Sequence, residues 1–339
     1  MKMFCLLNKS VNLLLGKYYQ VVVSKKAVKQ SKLVMTLLAR DEADIIEANI
    51  LFHLSRGVDF IVATDNGSSD GTADILRKYE KRGVLHLIHE PSRVFDQAAW
   101  VNRMGRIAHN QYGADLVFHC DADEFWYPGS GSLKNELLAR PLVDVLSAKV
   151  VNVILRNRNG EERFPFDAIY AATNPLPKSR KKSQLSQDRH ETSLLLYKHA
   201  GKVIYKLRKG YLPVGWGNHS IRMSKELSSY YSGTSHDINV FHFPVRGFGQ
   251  FVKRTANHGE GHQNFHGTAA GAGLSDKGLL NKKWYEIYKS GKLFDEFNRL
   301  NMTESEAKKR LDTGVITTKD RRLQVLVDFI AHPQRNLTS

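Results

Sequence analysis

Residues 116–125 read Leu-Val-Phe-His-Cys-Asp-Ala-Asp-Glu-Phe, an apolar run that ends in three carboxylates within four positions. An apolar run of this length predicts a buried strand, and its C-terminal end is where open α/β sheets bind ligands. Asp121 and Asp123 are one residue apart, so both can contact one hard divalent cation such as Mg²⁺ or Mn²⁺. Taken alone, this spacing is a weak signal, and a solvated acidic loop without metal is the alternative.

Upstream of this stretch, apolar strand patterns alternate with helical patterns. Strands are predicted over residues 33–39, 60–63 and 84–88, and helices over 45–54, from about 73 to 82, and over 97–109. Strands and helices that alternate over short connections form parallel sheets with crossover helices. The predicted fold class is therefore α/β, with a Rossmann-like, mostly parallel sheet and flanking helices.

Carboxylates follow three of the predicted strands at the point where each strand ends. They are Asp41 with Glu42, then Asp65, then Asp121 with Asp123. In a parallel sheet these ends lie on one edge, so the side chains are expected to converge on one cleft. The sequence has neither the glycine-rich dinucleotide fingerprint nor a P-loop motif. A nucleotide bound at this edge must therefore be held in another way.

Three motifs at these strand ends together resemble the nucleotide-sugar-binding half of GT-A fold glycosyltransferases, in the family 2-like bacterial group. They are Leu-Ala-Arg-Asp-Glu at 38–42, Ala-Thr-Asp-Asn-Gly-Ser-Ser-Asp-Gly-Thr at 63–72, and Asp-Ala-Asp-Glu-Phe at 121–125. The resemblance covers residues 33–128 and continues more faintly through 216–220 and 242–246. Asp41 is a departure, because the family often has Asn before Glu at this point.

The resemblance implies a metal-dependent enzyme that uses a nucleotide-sugar donor. Asp65 and the first strand end, with Arg40 and Glu42, would hold the base and ribose. Asp121 would face the nucleotide and the metal, and Asp123 would chiefly bind the metal and serve catalysis. The expected cofactor is Mn²⁺ or Mg²⁺.

Three further site residues are predicted in the second half or beside the acidic stretch. GT-A enzymes commonly complete the metal shell with a downstream histidine, and we predict His242 in that role, with His219 as its rival and a hydrogen-bonded core position as the alternative. The resemblance implies that the enzyme inverts the configuration at the anomeric carbon of the sugar. Such a transfer requires a base that takes the proton of the acceptor hydroxyl. Glu191 is the predicted base, Asp237 is the other candidate, and Glu124 is assigned to orienting the metal ligands.

Local structure offers a simpler explanation for part of the second motif. Asn, Gly, Ser and Asp all favour tight turns and helix caps. For Ser69 and Asp70 a turn and cap role is therefore the prediction, whereas Asp65, directly at the strand end, is predicted to bind the nucleotide.

The chain has 339 residues, of which 42% are hydrophobic and 25% charged, values that are ordinary for a globular protein. Its two cysteines, Cys5 and Cys120, exclude a disulfide framework. The formal net charge of +16 fits a nucleic acid, an anionic phospholipid or a negatively charged substrate as partner. No apolar stretch is long enough to span a bilayer. We predict a cytoplasmic location and leave open peripheral contact with anionic lipid at the inner membrane face.

The chain is expected to divide by role into four parts. Residues 1–30 are a leader segment, 31–130 the nucleotide-sugar-binding half, 131–280 the acceptor-side half of the same domain, and 281–339 C-terminal helices. Within the third part we predict a strand over 150–155, a hairpin-like pair over 193–207, and a helix containing Phe248 and Phe251. The glycine-rich residues 257–273 are predicted to be a loop that closes over substrate.

The predicted function is transfer of a sugar to a saccharide or lipid-linked acceptor in cell-surface polysaccharide or lipopolysaccharide synthesis. One alternative is a sugar-phosphate nucleotidyltransferase, although residues 40–43 are not the glycine-rich basic loop such enzymes carry. The other is a basic nucleic-acid-binding protein, which expects basic residues interleaved with aromatics, and no such module is visible. No nucleic acid partner is therefore expected. The donor sugar, the base and the acceptor are not determined by the sequence.

Overall fold

The structure is a computed structural model, which describes residues 30–92, 96–156, 163–177, 193–208, 210–215, 218–221, 231–266 and 276–334. The strands are β1 Leu33–Ala39, β2 Phe60–Asp65, β3 Leu85–His89, β4 Leu116–Asp121, β5 Glu124–Pro128, β6 Val145–Leu155, β7 Ala168–Ala171, β8 Lys202–Lys206 and β9 Ser232–His242. The helices are α1 Ile46–Ser55, α2 Thr72–Lys81, α3 Gln97–Asn110, α4 Leu133–Leu138, α5 Phe248–His266, α6 Asp276–Lys289, α7 Leu293–Leu300, α8 Glu304–Asp312 and α9 Arg321–Ala331.

The strands form one mixed sheet in the order β3-β2-β1-β4-β8-β6-β9-β5, with β7 paired to β6. β1 is parallel to β2 and β4, and β2 is parallel to β3. The α/β fold class and the parallel arrangement of the first four strands are thereby confirmed. The pairings of β4 with β8, β6 with β8, and β6 with β7 are antiparallel. The parallel pairings of β1 to β4 thus lie beside antiparallel ones in the same sheet.

The chain divides into two compact units. The first comprises Met1–Glu90, Gln97–Val150 and Ala200–Val240, and the second comprises Pro91–Asp96, Val151–His199 and Phe241–Ser339. The four parts expected from the sequence were drawn by role, and their boundaries stay a prediction. Residues 1–29, including nearly all of the expected leader segment, lie outside the described residues.

The core of the first unit lies between the parallel strands and α3. Val34, Val62 and Val117 from the strands pack with Val101 and Met104 of α3, and all five are at most 2% exposed. Full burial of an aliphatic side chain of this size contributes roughly 1.5–3 kcal/mol. This packing holds the C-terminal ends of β1, β2 and β4 in fixed positions.

The second unit contains the predicted helical C-terminal region, which is confirmed. Phe251 of α5, Trp284 of α6 and Phe297 of α7 share one apolar cluster, and the Trp284 indole Nε1–H donates to Glu296 Oε1 at 2.8 Å. The last helix, α9, buries Leu323, Leu326, Phe329 and Ile330. No helix within the described ranges is long and apolar enough to cross a membrane.

The prediction of a loop from residue 257 is wrong as far as residue 266, because α5 continues to His266. Glycine weakens a helix, but it also lets another element approach closely. A Cβ built on Gly259 would lie 2.1 Å from the ring of Tyr285 in α6, so this glycine allows the two helices to pack. Residues 267–273, the rest of the expected loop, lie outside the described residues.

The hairpin predicted over residues 193–207 is also wrong. Leu194–Leu196 form a 3₁₀ turn that is capped by the Ser193 hydroxyl, which accepts a hydrogen bond from Leu195 N–H. β8 pairs instead with β4 and β6. The apolar pattern of two short segments does not reveal such partners, because both lie far away in the sequence.

Candidate active site

The strand ends that carry carboxylates lie side by side, as predicted. β1 is the central strand of the three, and its residue Ala39 is in register with Asp65 of β2, while Leu38 is in register with Asp121 of β4. Asp65 is almost completely buried, whereas the Asp121 side chain is 21% exposed. The C-terminal edge of the parallel sheet therefore presents Asp65 and Asp121 on either side of β1.

A buried lysine that the sequence reasoning missed contacts the acidic stretch. Lys202 is the first residue of β8, which runs antiparallel beside β4. Its Nζ lies 3.0 Å from Asp121 Oδ2 and 2.8 Å from Glu124 Oε1. Burial by itself would lower the pKa of Lys202, but the carboxylates of Asp121 and Glu124 outweigh burial and raise this pKa. Lys202 is therefore a fixed positive charge between two carboxylates.

The second oxygen of the Asp121 carboxylate has its own partner. His119 Nε2 lies 3.3 Å from Asp121 Oδ1, and His119 Nδ1 lies 3.0 Å from the Thr36 hydroxyl on β1. Because a carboxylate only accepts hydrogen bonds, we assign the imidazole proton to Nε2, so that Nδ1 accepts from Thr36. Asp121 is thus held by one partner on β4 itself and one on β8.

The turn between β4 and β5 is held from behind by α1. Asn49 is fully buried, and its Nδ2 donates to the carbonyls of Ala122 at 3.0 Å and Glu124 at 2.8 Å. These are the backbone positions on either side of Asp123, whose own side chain is 5% exposed. One side-chain amide therefore fixes the backbone of the acidic turn.

Beside Asn49 on the same face of α1, His53 is buried and neutral. Its Nδ1–H donates to the Asn49 carbonyl at 2.8 Å, and its Nε2 accepts from Trp126 N–H at 3.1 Å. Burial lowers the pKa of His53 to about 4, against a modest opposing effect of the hydrogen bond to Asn49. Both ring nitrogens of His53 therefore have a hydrogen-bond partner, and the bond to Trp126 joins α1 to β5.

We expect acid to destabilise the protein through His53. The unfolded chain takes up a proton near pH 6.5 but the folded chain only near pH 4, so this contribution to stability is complete above pH 6.5 and is lost as the pH falls toward 4. The full loss is about 3 kcal/mol. Urea unfolding at pH 7 and pH 5 should show about 2 kcal/mol of this loss, because pH 5 is still above the folded pKa of about 4. A His53→Gln variant should show a shallower pH dependence, and an equal dependence in both proteins would contradict the assignment.

Behind Asp121, the thiol of Cys120 is fully buried on β4. It donates to the carbonyl of Glu124 at 3.2 Å. Burial first, and then the charge of Glu124, raise the pKa of Cys120 well above its usual range. The thiol is therefore a structural group and no nucleophile.

The loop after β1 is joined to the loop after β2 by reciprocal hydrogen bonds. Asp41 N–H donates to the Ser68 hydroxyl at 3.0 Å, and Asp41 Oδ1 accepts from Ser69 N–H at 2.7 Å. Asp70 Oδ2 accepts from Ala43 N–H at 3.1 Å. Ser69 and Asp70 therefore have contacts of the kind expected for a turn.

Asp41 itself adopts a left-handed conformation, with φ of 55°. Asn and Asp tolerate this conformation better than other residues with a side chain. The departure from Asn in the family motif is therefore a change between the two side chains that suit this backbone. The site tolerates Asp because its carboxylate accepts hydrogen bonds from Ser69.

Substitutions at Asp41 test this explanation. Asp41→Val should lower the free energy of unfolding by about 2–3 kcal/mol, because a β-branched residue is strained at positive φ and the acceptor for Ser69 is lost. Asp41→Asn keeps both the conformation and an acceptor oxygen, so its stability should stay close to that of the parent. Chemical denaturation of the two variants measures the difference, and equal losses would refute the role of the backbone.

The other predicted nucleotide-binding residues lie in the same two loops. Asp65 Oδ1 accepts from Ser68 N–H at 3.3 Å, and Glu42 N–H donates to the Thr72 hydroxyl at 2.8 Å. Arg40 Nε lies 4.0 Å from Asp41 Oδ2 and is buried without a hydrogen-bond partner among the described residues. The Arg40 side chain as a whole is 25% exposed, so its hydrogen-bonding capacity is not fully used at this edge.

His242 belongs to the second unit and has a defined tautomer. Asn152 Nδ2 donates to the Leu195 carbonyl at 2.8 Å, which directs Asn152 Oδ1 toward His242 Nδ1 at 3.0 Å. Since this oxygen accepts, we assign the proton to Nδ1 and the lone pair to Nε2. His219, in the first unit, has the same tautomer because its Nδ1–H donates to the Gly201 carbonyl at 2.9 Å.

Of the two candidates for the catalytic base, the structure describes only one. Glu191 lies outside the described residues. Asp237 is half-exposed and forms an ion pair with Arg140 at 2.6 Å. In the described part of the chain, no three side chains among His, Cys, Asp and Glu are grouped so that they could hold a metal ion. The assignment of Asp121, Asp123 and His242 as a metal site stays a prediction.

The residues missed by the sequence reasoning are those that support the site. Asn49 and His53 are four residues apart, and both lie among the apolar residues of the buried face of α1. A polar residue within an apolar helical stripe is a usable signal, because buried polar groups need partners. Lys202 gave no such signal, since its partners lie on another strand.

The chain was also compared with known proteins. No protein-family model matches it, and no curated protein does. A structure of residues 1–349 of S. aureus TarS with UDP aligns at a TM-score of 0.37 and 13% identity, over 80% of this chain and 83% of that chain.

A structure of glucosyl-3-phosphoglycerate synthase from Mycobacterium tuberculosis, with Mn²⁺, UDP and glucosyl-3-phosphoglycerate, aligns at a TM-score of 0.39 and 15% identity. The alignment covers 77% of this chain and 88% of that chain. The same enzyme with Mg²⁺ and UDP aligns at 0.38. These likenesses are distant.

Proposed function

We propose that this chain is a glycosyltransferase that takes a sugar from a nucleotide-sugar donor. The observation that carries the proposal is the row of motif residues at one edge of a parallel sheet, with Asp65 and Asp121 flanking the end of β1. Ligands of open α/β sheets bind at this edge. Asp65, Arg40 and Glu42 are assigned to the base and ribose, and Asp121 to the donor diphosphate.

A divalent cation fits the donor chemistry of the proposed site. Asp121 and Asp123 offer carboxylate oxygens, which Mn²⁺ and Mg²⁺ prefer. The tautomer assigned to His242 places its lone pair on Nε2, as metal-binding histidines require. When bound, the cation would supply positive charge that stabilises the leaving nucleoside diphosphate.

The residues of the chain have separate tasks in the transfer. Bond cleavage leaves negative charge on the diphosphate, which a nearby Lys or Arg side chain would help to stabilise, while Arg40 keeps its assignment to the base and ribose. Glu191 remains the proposed base that takes the proton of the acceptor hydroxyl in an inverting transfer. Asn49 and His119 do not touch the donor in this scheme but keep the acidic turn and Asp121 in place.

The proposed acceptor is a saccharide or a lipid-linked saccharide, in the synthesis of cell-surface polysaccharide or lipopolysaccharide. The formal charge of +16 supports contact with an anionic membrane surface, where such lipid-linked acceptors lie. The proposed location is the cytoplasm, with peripheral binding at the inner membrane face. Vesicle sedimentation with and without anionic lipid measures that binding.

Screening nucleotide-sugars for hydrolysis in the presence of Mn²⁺ tests the proposed function. One donor, or a small group of them, should release its nucleoside diphosphate, and release should stop when the metal is chelated. Formation of pyrophosphate from a nucleoside triphosphate and a sugar phosphate would instead establish a nucleotidyltransferase. Tight binding to DNA or RNA that weakens steeply with salt, without donor hydrolysis, would establish a nucleic-acid-binding protein.

A further inference from the structure

We propose that Lys202 is a positioning residue of the donor site, which holds the Asp121 carboxylate in the orientation that receives the donor diphosphate and its metal. This inference rests on the function proposed above and adds to it a residue that no motif contains. It stands on three observations: the contacts of the Lys202 ammonium, the burial of the groups around it, and the balance of their charges.

The contacts restrain Asp121 from two directions. Lys202 Nζ lies 3.0 Å from Asp121 Oδ2, while His119 Nε2 lies 3.3 Å from Oδ1. A carboxylate on a short side chain has two torsions, and a separate partner on each oxygen restricts both. The partners come from β4 and β8, which are paired strands of one sheet, so the restraint is part of the rigid scaffold.

The charges explain why a lysine is needed at this position. Glu124 is 2% exposed and Lys202 is 4% exposed, and their charged atoms lie 2.8 Å apart. Two carboxylates without a cation would repel each other. The ammonium of Lys202 contacts both Asp121 and Glu124 and offsets this repulsion. The charge of Lys202 therefore affects both the position of the Asp121 carboxylate and the free energy of burying the Glu124 carboxylate.

These two effects must be separated, because Lys202→Met removes the ammonium that lies 2.8 Å from the buried Glu124 carboxylate, and this variant can fail to fold. The double variant Lys202→Met/Glu124→Gln removes both members of the buried pair and restores the charge balance. Glu124→Gln alone is its reference. Comparison of the two isolates what Lys202 does for Asp121.

The same strand offers a matched control. Lys206 also lies on β8, is 6% exposed, and donates from Nζ to the backbone carbonyls of Arg140 at 2.8 Å and Pro141 at 3.3 Å. Lys206→Met removes a lysine of similar exposure, 6% against 4%, that has no contact with Asp121. Burial lowers the pKa of Lys206 to about 8, so the comparison is made at pH 7, where its ammonium is charged. Its effect on stability measures the general cost of losing such a lysine from β8.

The experiment is calorimetric titration of UDP with Mn²⁺ into each full-length protein, with thermal unfolding measured in parallel. If the parent protein does not bind UDP, the nucleoside diphosphate that it does bind takes the place of UDP throughout. We expect Lys202→Met/Glu124→Gln to bind UDP about tenfold more weakly than Glu124→Gln, or worse, a difference that corresponds to about 1.4 kcal/mol. Its unfolding temperature should stay near that of Glu124→Gln. Lys206→Met should unfold at a lower temperature and bind UDP as the parent does.

Equal affinity of the double variant and Glu124→Gln would overturn the inference, since Lys202 would then serve only as the counterion of Glu124. An equal loss of affinity in Lys206→Met would also overturn it, because the effect would belong to β8 in general. Failure of the proposed function is recognised separately. In that case the parent protein itself binds no nucleoside diphosphate with Mn²⁺ or Mg²⁺, and the inference falls with it.

Discussion

Replacing Asp123 with alanine is expected to abolish sugar transfer and metal-dependent donor binding while the protein stays folded. In the proposed site Asp123 is chiefly a metal ligand, so its loss removes the charge that stabilises the leaving diphosphate. Loss of a group that stabilises charge in the transition state lowers the rate by on the order of a hundredfold to a thousandfold, and loss of the metal should add to this. Calorimetric titration with UDP and Mn²⁺, together with the transfer rate, measures the effect.

The control for Asp123→Ala is Asp74→Asn, which removes a carboxylate from a surface position. The Asp74 side chain is 80% exposed in α2, and within the described ranges its ion pair is with Arg77 of the same helix, so the substitution should change neither the rate nor UDP binding. Circular dichroism and thermal unfolding establish that both variants are folded. Unchanged UDP binding in Asp123→Ala would sink the assignment of this carboxylate to the metal.

The second large effect is expected from Asn49→Leu, which changes a buried amide into an apolar group of similar size. The carbonyls of Ala122 and Glu124 would lose their common donor inside the protein. The Glu124 carbonyl keeps the thiol of Cys120 as a weak donor, whereas the Ala122 carbonyl loses the amide. A buried group that loses its hydrogen bond costs about 1–3 kcal/mol, so the free energy of unfolding should fall by about that amount. Because the acidic turn is then released, UDP binding should weaken as well.

A neighbouring core substitution distinguishes loss of the turn from general destabilisation. Ile50→Val lies on the same helix, at a fully buried position, and should cost about 1 kcal/mol without any change in UDP affinity. Urea unfolding and calorimetry on both variants give the comparison. If Asn49→Leu binds UDP as tightly as Ile50→Val does, the amide has no role in shaping the donor site.

The sequence could reveal the sheet edge because each part of that inference is local. The apolar runs before Asp41, Asp65 and Asp121 predict strands, and the helices between them require parallel pairing, which brings the three ends together. The structure confirms these strands and their register. Lys202 could not be found in this way, because it is 81 residues from Asp121 and reaches it through antiparallel pairing of β4 with β8.

Other predictions of secondary structure were wrong because they applied a rule about local sequence at places where tertiary packing determines the structure. Gly259 weakens a helix in isolation, yet α5 continues through it because Tyr285 needs the space that a side chain would fill. The strand Glu124–Pro128 was not predicted, although its aromatic residues favour strands, because it follows the acidic turn without a loop signal. Asn49 and His53 were present as polar residues in an apolar stripe, and they mark the place where α1 supports the site.

The buried thiol of Cys120 can report how often the protein opens around its donor site. A thiol that is closed to solvent and firmly protonated reacts with an alkylating reagent only during moments when the surrounding layer separates. In a Cys5→Ser variant, the rate at which Cys120 is alkylated therefore measures how often these openings occur, and no label has to be attached beforehand. A ligand that binds only the closed form makes these openings rarer as more of the protein is bound. Candidate donors can therefore be ranked by how far each one slows the alkylation of Cys120, before the acceptor is known.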